Sequence, residues 1–211
     1  MSKREGEDPR ERGAAPGERG IHAWAAAWGL AEGTFFFIVP DVWLSWVALR
    51  KPRAARKAAL SALAGAMAGG ALVHAWARHA GAPTTRAWLL RVPAITPEMI
   101  AEVEAGLERG MHTMVFGPLR GIPYKIYART AGARGESLGA FLAWSLPARL
   151  PRFLLLAAAT QALTAAGRKL LGGERPRAEQ AIHLLAWGAF YGWYFTHTGV
   201  FARQRARRRR R

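Results

Sequence analysis

The sequence predicts an all-α integral membrane protein, and three observations carry that prediction. Apolar residues form 51% of the chain and lie in long blocks, several near the length of about 20 residues that crosses a bilayer. The basic residues, 31 against 14 acids, fall mainly between the blocks and at the C-terminus. Two blocks are broken at a proline, and each break is followed by a charged connection and a longer apolar segment. A mean hydropathy near zero averages these two unlike populations and hides the membrane signal. A soluble domain this basic would meet nucleic acid or an acidic surface. The segregation of charge from apolar sequence favours the bilayer instead.

Residues 1–20 carry five basic and five acidic side chains with glycine and proline, and read as a disordered polar N-terminus. Residues 21–49 hold only two charges, Glu32 and Asp41, and one proline, Pro40. This stretch is too long for one plain span and too short for two. Proline lacks an amide donor and disfavours helix just before it, so a broken or re-entrant hairpin with its tip near Pro40 is expected. A basic connection, 50–57, leads to 58–77, a span rich in alanine and glycine. There Gly65 and Gly69 have the spacing that lets two backbones approach closely in lipid.

Residues 78–110 are polar. Thr96, Pro97 and Glu98 form a helix start, and Met99, Val103 and Leu107 give one apolar face, so a short amphipathic helix is expected on the membrane or on the protein. Residues 111–132 are apolar but interrupted by Pro118, Arg120, Pro123, Lys125 and Arg129. Residues 137–167 are mostly apolar, with an interruption at 146–152 that holds two prolines and two arginines. Residues 181–202 form an aromatic-rich block of spanning length, read as an additional C-terminal transmembrane helix, with Gly188 and Gly192 again four apart. Seven arginines within 203–211 make a basic tail. One transmembrane domain, 21–202, follows from this order.

The breaks at Pro40 and Pro123 sit at corresponding places in two halves of the chain. Interrupted apolar segments so placed point to an inverted repeat of re-entrant hairpin plus transmembrane helix. With both hairpins re-entrant, connection 50–57 and the arginine tail fall on opposite sides of the membrane.

Three motifs in this order resemble the DedA superfamily, also called VTT or SNARE-associated-like membrane proteins, and within it the YqaA-like subgroup. The first is AEGTFFFIVPD, residues 31–41, similar to the family's acid–apolar–proline–acid stretch. The second is IPYKIY, 122–127, followed by Ala131 and Gly132. The third is RLPRF, 149–153, similar to paired arginines before a phenylalanine. The chain departs from the broader family in having Pro-Tyr-Lys where Pro-Gly-x-Arg is usual, and in Pro151 between the arginines. The resemblance covers about residues 24–170. It implies two opposed re-entrant hairpins, each packed on a membrane helix. It also implies roles in membrane homeostasis, including movement of lipid-linked phosphates or phospholipids and processes driven by the proton-motive force.

The charged positions carry the expected chemistry. A carboxylate in the membrane must face a cavity, find a cation or take up a proton, which makes Glu32 and Asp41 candidates for coupling. A plainer reading has Asp41 capping a half-helix beyond Pro40. Lys125, Arg149 and Arg152 are the matching cations. Arginine offers a planar fork to phosphate and lysine a point charge. The plainer reading sets both arginines in a loop, snorkelling to the interface. His74 and His183 fall on apolar faces and read as packed or interfacial. None of the six histidines falls in a metal-ligand motif, and no cofactor is expected. Trp187, Trp193 and Tyr194 resemble an interfacial aromatic belt.

These readings combine into a non-enzymatic, multi-pass cell-membrane transporter or lipid scramblase. The expected partners are the bilayer and an anionic lipid or lipid-linked phosphate. Protons and a second copy of the chain are further candidates, and nucleic acid is not. The alternative is a non-transporting membrane scaffold whose basic tail recruits a partner or anionic lipid. An enzyme acting on lipid phosphates ranks last, because the sequence offers no nucleophile or metal set. Alkaline carbonate extraction tests the membrane reading: the full-length chain should stay in the pellet, and its recovery in the supernatant would refute the reading.

Overall fold

The computed structural model of the chain describes residues 16–197. Among them every regular element is helical. The helices are α1 (Pro16–Thr34), α2 (Asp41–Arg50), α3 (Pro52–Ala80), α4 (Ala82–Leu89), α5 (Pro97–Arg109), α6 (Tyr124–Ala133), α7 (Leu138–Leu170) and α8 (Pro176–His197), with a 3-10 segment, Met111–Arg120, between α5 and α6. Helices α3 and α7 are long and apolar enough to cross a membrane. α8 has 22 residues but is not among them over its described length. Its first turns carry Arg177 and Glu179, and its aromatic rings bring polar atoms with them.

Several boundaries differ from expectation for local reasons. Helix α1 begins at Pro16, so the last residues of the polar N-terminus are helical and the disorder expected there does not extend to 16–20. Residues 1–15 and the arginine tail lie outside the described residues. The connection expected at 50–57 shrinks to a single non-helical residue, Lys51, because Pro52 has the fixed φ suited to a first helical position and starts α3 at once. Helix α4 was not anticipated. The interruption expected at 146–152 is no loop. α7 runs through Pro147 and Pro151, both exposed, so the two ladder bonds they remove lie on the outer side of the helix.

Helix α5 forms where Thr96 predicts it, with the Thr96 Oγ1 accepting from the Met99 amide at 3.2 Å. It lies on the protein: Ile100, Val103 and Leu107 enter a core shared with α6, the 3-10 segment and the start of α7. A second core gathers Ile21 and Ala25 of α1, Leu44 and Val47 of α2, the alanines of α3, and Phe153 and Ala157 of α7.

Glycine sets the distance between α1 and α3. A Cβ on Gly65 would lie 1.9 Å from the Ala26 carbonyl oxygen, and one on Gly69 would lie 2.6 Å from that of Leu30. The approach is reciprocal: a Cβ on Gly29 would lie 2.1 Å from the Ala62 oxygen, and one on Gly33 would lie 2.7 Å from the Ala66 oxygen. Gly29 and Gly33 thus mirror the spacing of Gly65 and Gly69. On α6, Gly132 meets the His74 carbonyl of α3 in the same way, at 2.1 Å. Such contacts associate helices where lipid removes the hydrophobic drive between them. Gly188 and Gly192 of α8 have nothing within 4 Å of an added Cβ, so their spacing marks no packed interface within the chain.

The order of elements repeats. Pro40 precedes the 10-residue α2 and the 29-residue α3; Pro123 precedes the 10-residue α6 and the 33-residue α7. Each short helix packs on the long helix of the other half, α2 on α7 and α6 on α3. A pair of substitutions tests the glycine interface. Gly65→Ala should lower stability in detergent by at least about 1–3 kcal/mol, the usual range for overpacking, while Gly188→Ala should leave the unfolding temperature unchanged or slightly raised. Equal behaviour of the two variants would contradict the close packing.

Candidate functional site: a charged cavity between two backbone breaks

Residues 35–40, half-buried for most of their length, leave helical geometry, so their peptide groups need other partners. At membrane depth each unmet group would be costly. Side chains from three helices meet them. Lys125 of α6 donates to the Phe36 carbonyl at 3.1 Å, and Trp28 of α1 donates through Nε1 to the Ile38 carbonyl at 3.0 Å. The Val39 amide donates to the Tyr191 hydroxyl of α8 at 2.8 Å. The second break turns at Gly121, in the left-handed region at φ 68°, where glycine pays no steric penalty. Tyr194 donates to the Gly121 carbonyl at 3.5 Å, a long contact. Tyr191 and Tyr194, three residues apart on α8, therefore reach one break each.

The two breaks border a cavity of about 160 Å³, far above the roughly 10–15 Å³ that admits one water. All five charged residues anticipated from the sequence line it: Glu32, Asp41, Lys125, Arg149 and Arg152. So do Pro123, Tyr124, Trp187, Tyr191 and Tyr194. Pro40, by contrast, is buried at the start of α2 and does not line the cavity. Trp187 and Tyr194 face the cavity where a purely interfacial belt was expected, while Trp193 is exposed.

The charges are paired across the halves of the chain. Arg149 Nη2 donates to Glu32 Oε2 at 2.5 Å, with both residues only 4% exposed. Arg152 Nη2 lies 2.8 Å from Asp41 Oδ2, with Asp41 buried and Arg152 about one-third exposed. This second pair is an ion contact without hydrogen-bond alignment, since Asp41 Oδ2 accepts no aligned bond. Asp41 does not cap α2; Pro40 occupies the cap position, and the Asp41 carboxylate turns to Arg152 in the first turn. The two arginines are three apart on α7, which sets them on one face. That places them in the interior, in place of the interfacial loop of the plainer reading.

Neighbouring groups fix the arginines further. The Arg149 guanidinium stacks 4.3 Å from the Tyr124 ring centre and 5.2 Å from that of Phe153. The Tyr124 hydroxyl hydrogen-bonds Ser145 at 2.7 Å. Among the described residues the Nε atoms of Arg149 and Arg152 have no hydrogen-bond partner. Three cations against two carboxylates leave one positive charge, with unused donors, beside an otherwise largely apolar wall.

A third buried cation, Arg129, was missed as more than an interruption. Arg129 of α6, 2% exposed, donates to Thr85 Oγ1 at 3.0 Å, to Glu104 at 2.9 Å and to the Ala82 carbonyl. It ties α6 to α4 and α5, so Glu104 of α5 holds the half-helix that carries Lys125. The signal was an arginine in apolar sequence not far from an acid-rich amphipathic helix. His74 stacks on Phe141 at 5.6 Å and donates through Nε2 to the Glu136 carbonyl at 3.0 Å, and His183 packs edge-on to Trp46 at 5.5 Å. Among the described residues no group of three or more acids, histidines or cysteines is placed to hold a metal.

Breaking a buried pair leaves one charge stranded, while replacing both partners by apolar groups does not. Arg149→Met alone should therefore destabilise the purified protein by about 3–5 kcal/mol, and the double variant Glu32→Leu with Arg149→Met should recover most of that loss. Thermal unfolding in one detergent provides the measurement, and equal losses in single and double variants would argue against the pairing. No family model, no curated protein and no solved structure matches the chain.

Proposed function

We propose that the chain is a multi-pass, non-enzymatic transporter or lipid scramblase of the cell membrane, of the DedA type. Its two broken segments act as opposed re-entrant hairpins, α8 serves as an additional transmembrane helix, and the cavity between them takes an anionic or lipid-linked phosphate group. One observation carries the reading: five charged side chains from both halves converge on one cavity inside an apolar helical body. The order of the motifs around Glu32, Pro123 and Arg149, similar to that of DedA proteins, agrees with it.

The chemistry of the site supplies a mechanism. Arg149 and Arg152 each keep an Nε donor unpaired among the described residues, and Lys125 adds a third cation at the cavity wall. A phosphate entering there meets a net positive field. It can exchange ion contacts with Asp41, whose pair with Arg152 is unaligned. The apolar wall accommodates an attached chain. Glu32 and Asp41 can take up a proton, whereas arginine stays charged throughout the physiological range. Protonation of a carboxylate frees its arginine for substrate, which links proton movement to anion movement. The half-helices beginning just after Pro40 and Pro123 add positive dipole ends near the site.

Reconstitution in liposomes tests the proposal through lipid flipping and proton-driven uptake across pH. Arg152→Ala should lower substrate affinity at every pH by about 1.5–3 kcal/mol, the loss of one charge-assisted contact, or roughly one to two decades. Arg152→Lys should recover only part of it. Glu32→Gln should remove the proton dependence and leave some anion binding. If Arg152→Ala binds as wild type does and Glu32→Gln keeps normal pH dependence, the site is wrong and the scaffold reading takes its place.

A further inference from the structure

One end of the helical body collects cations that neither the cavity nor an internal ion pair uses. Helix α3 starts one residue after α2 ends, so Arg50, Lys51, Arg53, Arg56 and Lys57 crowd into a short stretch of surface. All five are exposed, and none makes an ion pair within 4.0 Å among the described residues. The return from α7 to α8 comes to the same end. Gln161 of α7 donates to the Pro52 carbonyl at 3.3 Å, and α7 continues past it to exposed Lys169. Arg50 lies within electrostatic range of Glu179 at the start of α8, joining the two clusters. The acids in this return, Glu174 and Glu179, are both engaged by Arg168.

The two ends differ in how much of their charge is paired. At the opposite end Glu102 pairs with Arg120, Glu104 with Arg86 and Arg129, and Glu108 and Glu136 with Arg134, so many of the cations there are neutralised within the protein. The placement of the α2–α3 cluster is also unfavourable for the isolated chain. The first turn of α3 holds no acid, and cations there oppose the positive end of the helix dipole. An external anion would offset both the mutual repulsion and the dipole. Directly behind the cluster begins the apolar length of a helix able to cross a membrane. That geometry sets the cations at headgroup level and the apolar residues in the hydrocarbon.

We infer that this end of the protein binds the anionic headgroups of one phospholipid leaflet, through Lys51, Arg53, Arg56 and Lys57 in particular. The inference rests on membrane embedding and is independent of transport. It needs charge and position only, so lysine and arginine are interchangeable here, unlike in the cavity.

The test uses the full chain in neutral detergent micelles containing equal phosphatidylglycerol and phosphatidylcholine, with retained lipids counted by native mass spectrometry. The wild type should retain an excess of phosphatidylglycerol. Changing Lys51, Arg53, Arg56 and Lys57 together to glutamine should cut that excess at least about tenfold, since each surface cation adds measurably to anionic-lipid attraction. Arg53→Lys with Arg56→Lys should preserve it, because the surface needs charge and position only. If the fourfold variant misfolds, each single glutamine variant should lower the excess about two- to fivefold. An unchanged excess in the fourfold variant, or in all four single variants, would overturn the inference. So would a single-stranded oligonucleotide whose binding needs these four residues while phosphatidylglycerol retention does not.

Discussion

Residues 35–40 join α1 to α2 without a helical ladder, and the peptide groups freed there must be met by side chains. Lys125, Trp28 and Tyr191 meet them, and each comes from a different helix. That requirement sets where α6 and α8 can lie relative to α1. It also explains why a fully buried lysine can persist beside two arginines: its ammonium is held by a carbonyl that has no helical partner. The break places Glu32 at the end of one helix and Asp41 at the start of the next. Two carboxylates in an apolar body then need cations, and α7 must run unbroken past its prolines to bring Arg149 and Arg152 to them.

The close approach of α1 and α3 makes this arrangement possible. Four glycines in matched spacing let the two backbones touch, which brings Glu32 on α1 within reach of α7 across the α3 side of the bundle. α6 uses the same device at Gly132 against His74. Van der Waals contact between backbones does here what burial of large side chains does in a soluble core. The larger apolar residues are correspondingly free to point outward, as Leu155, Leu163 and Leu184 do.

Charge is used in two ways in this chain. Inside, arginine and carboxylate are matched one to one with a single surplus cation at the cavity, and buried pairs of this kind are weak contributors to stability. Outside, charge is distributed unevenly: several cations near α5 pair with its acids, while those around the α2–α3 turn make no ion pair among the described residues. A composition of net +17 conceals that division, because summed charge carries no direction.

The sequence alone determined the helical class, the two proline breaks, the Thr96 helix start and the five charged positions that line the cavity. These are local signals: proline forbids a ladder bond, threonine caps, and a charge in apolar sequence must be sheltered wherever the chain goes. Part of the glycine interface was equally legible, in the spacing of Gly65 and Gly69, but that Gly29 and Gly33 answer it needed the fold. Only tertiary structure decided which acid meets which arginine, that 146–152 stays helical, that Arg129 clamps α6 to α4 and α5, and that Tyr191 and Tyr194 turn inward. Each of those depends on contacts between residues far apart in the chain, Glu32 with Arg149 and Val39 with Tyr191 among them. Periodicity and spacing report only on neighbours along the chain.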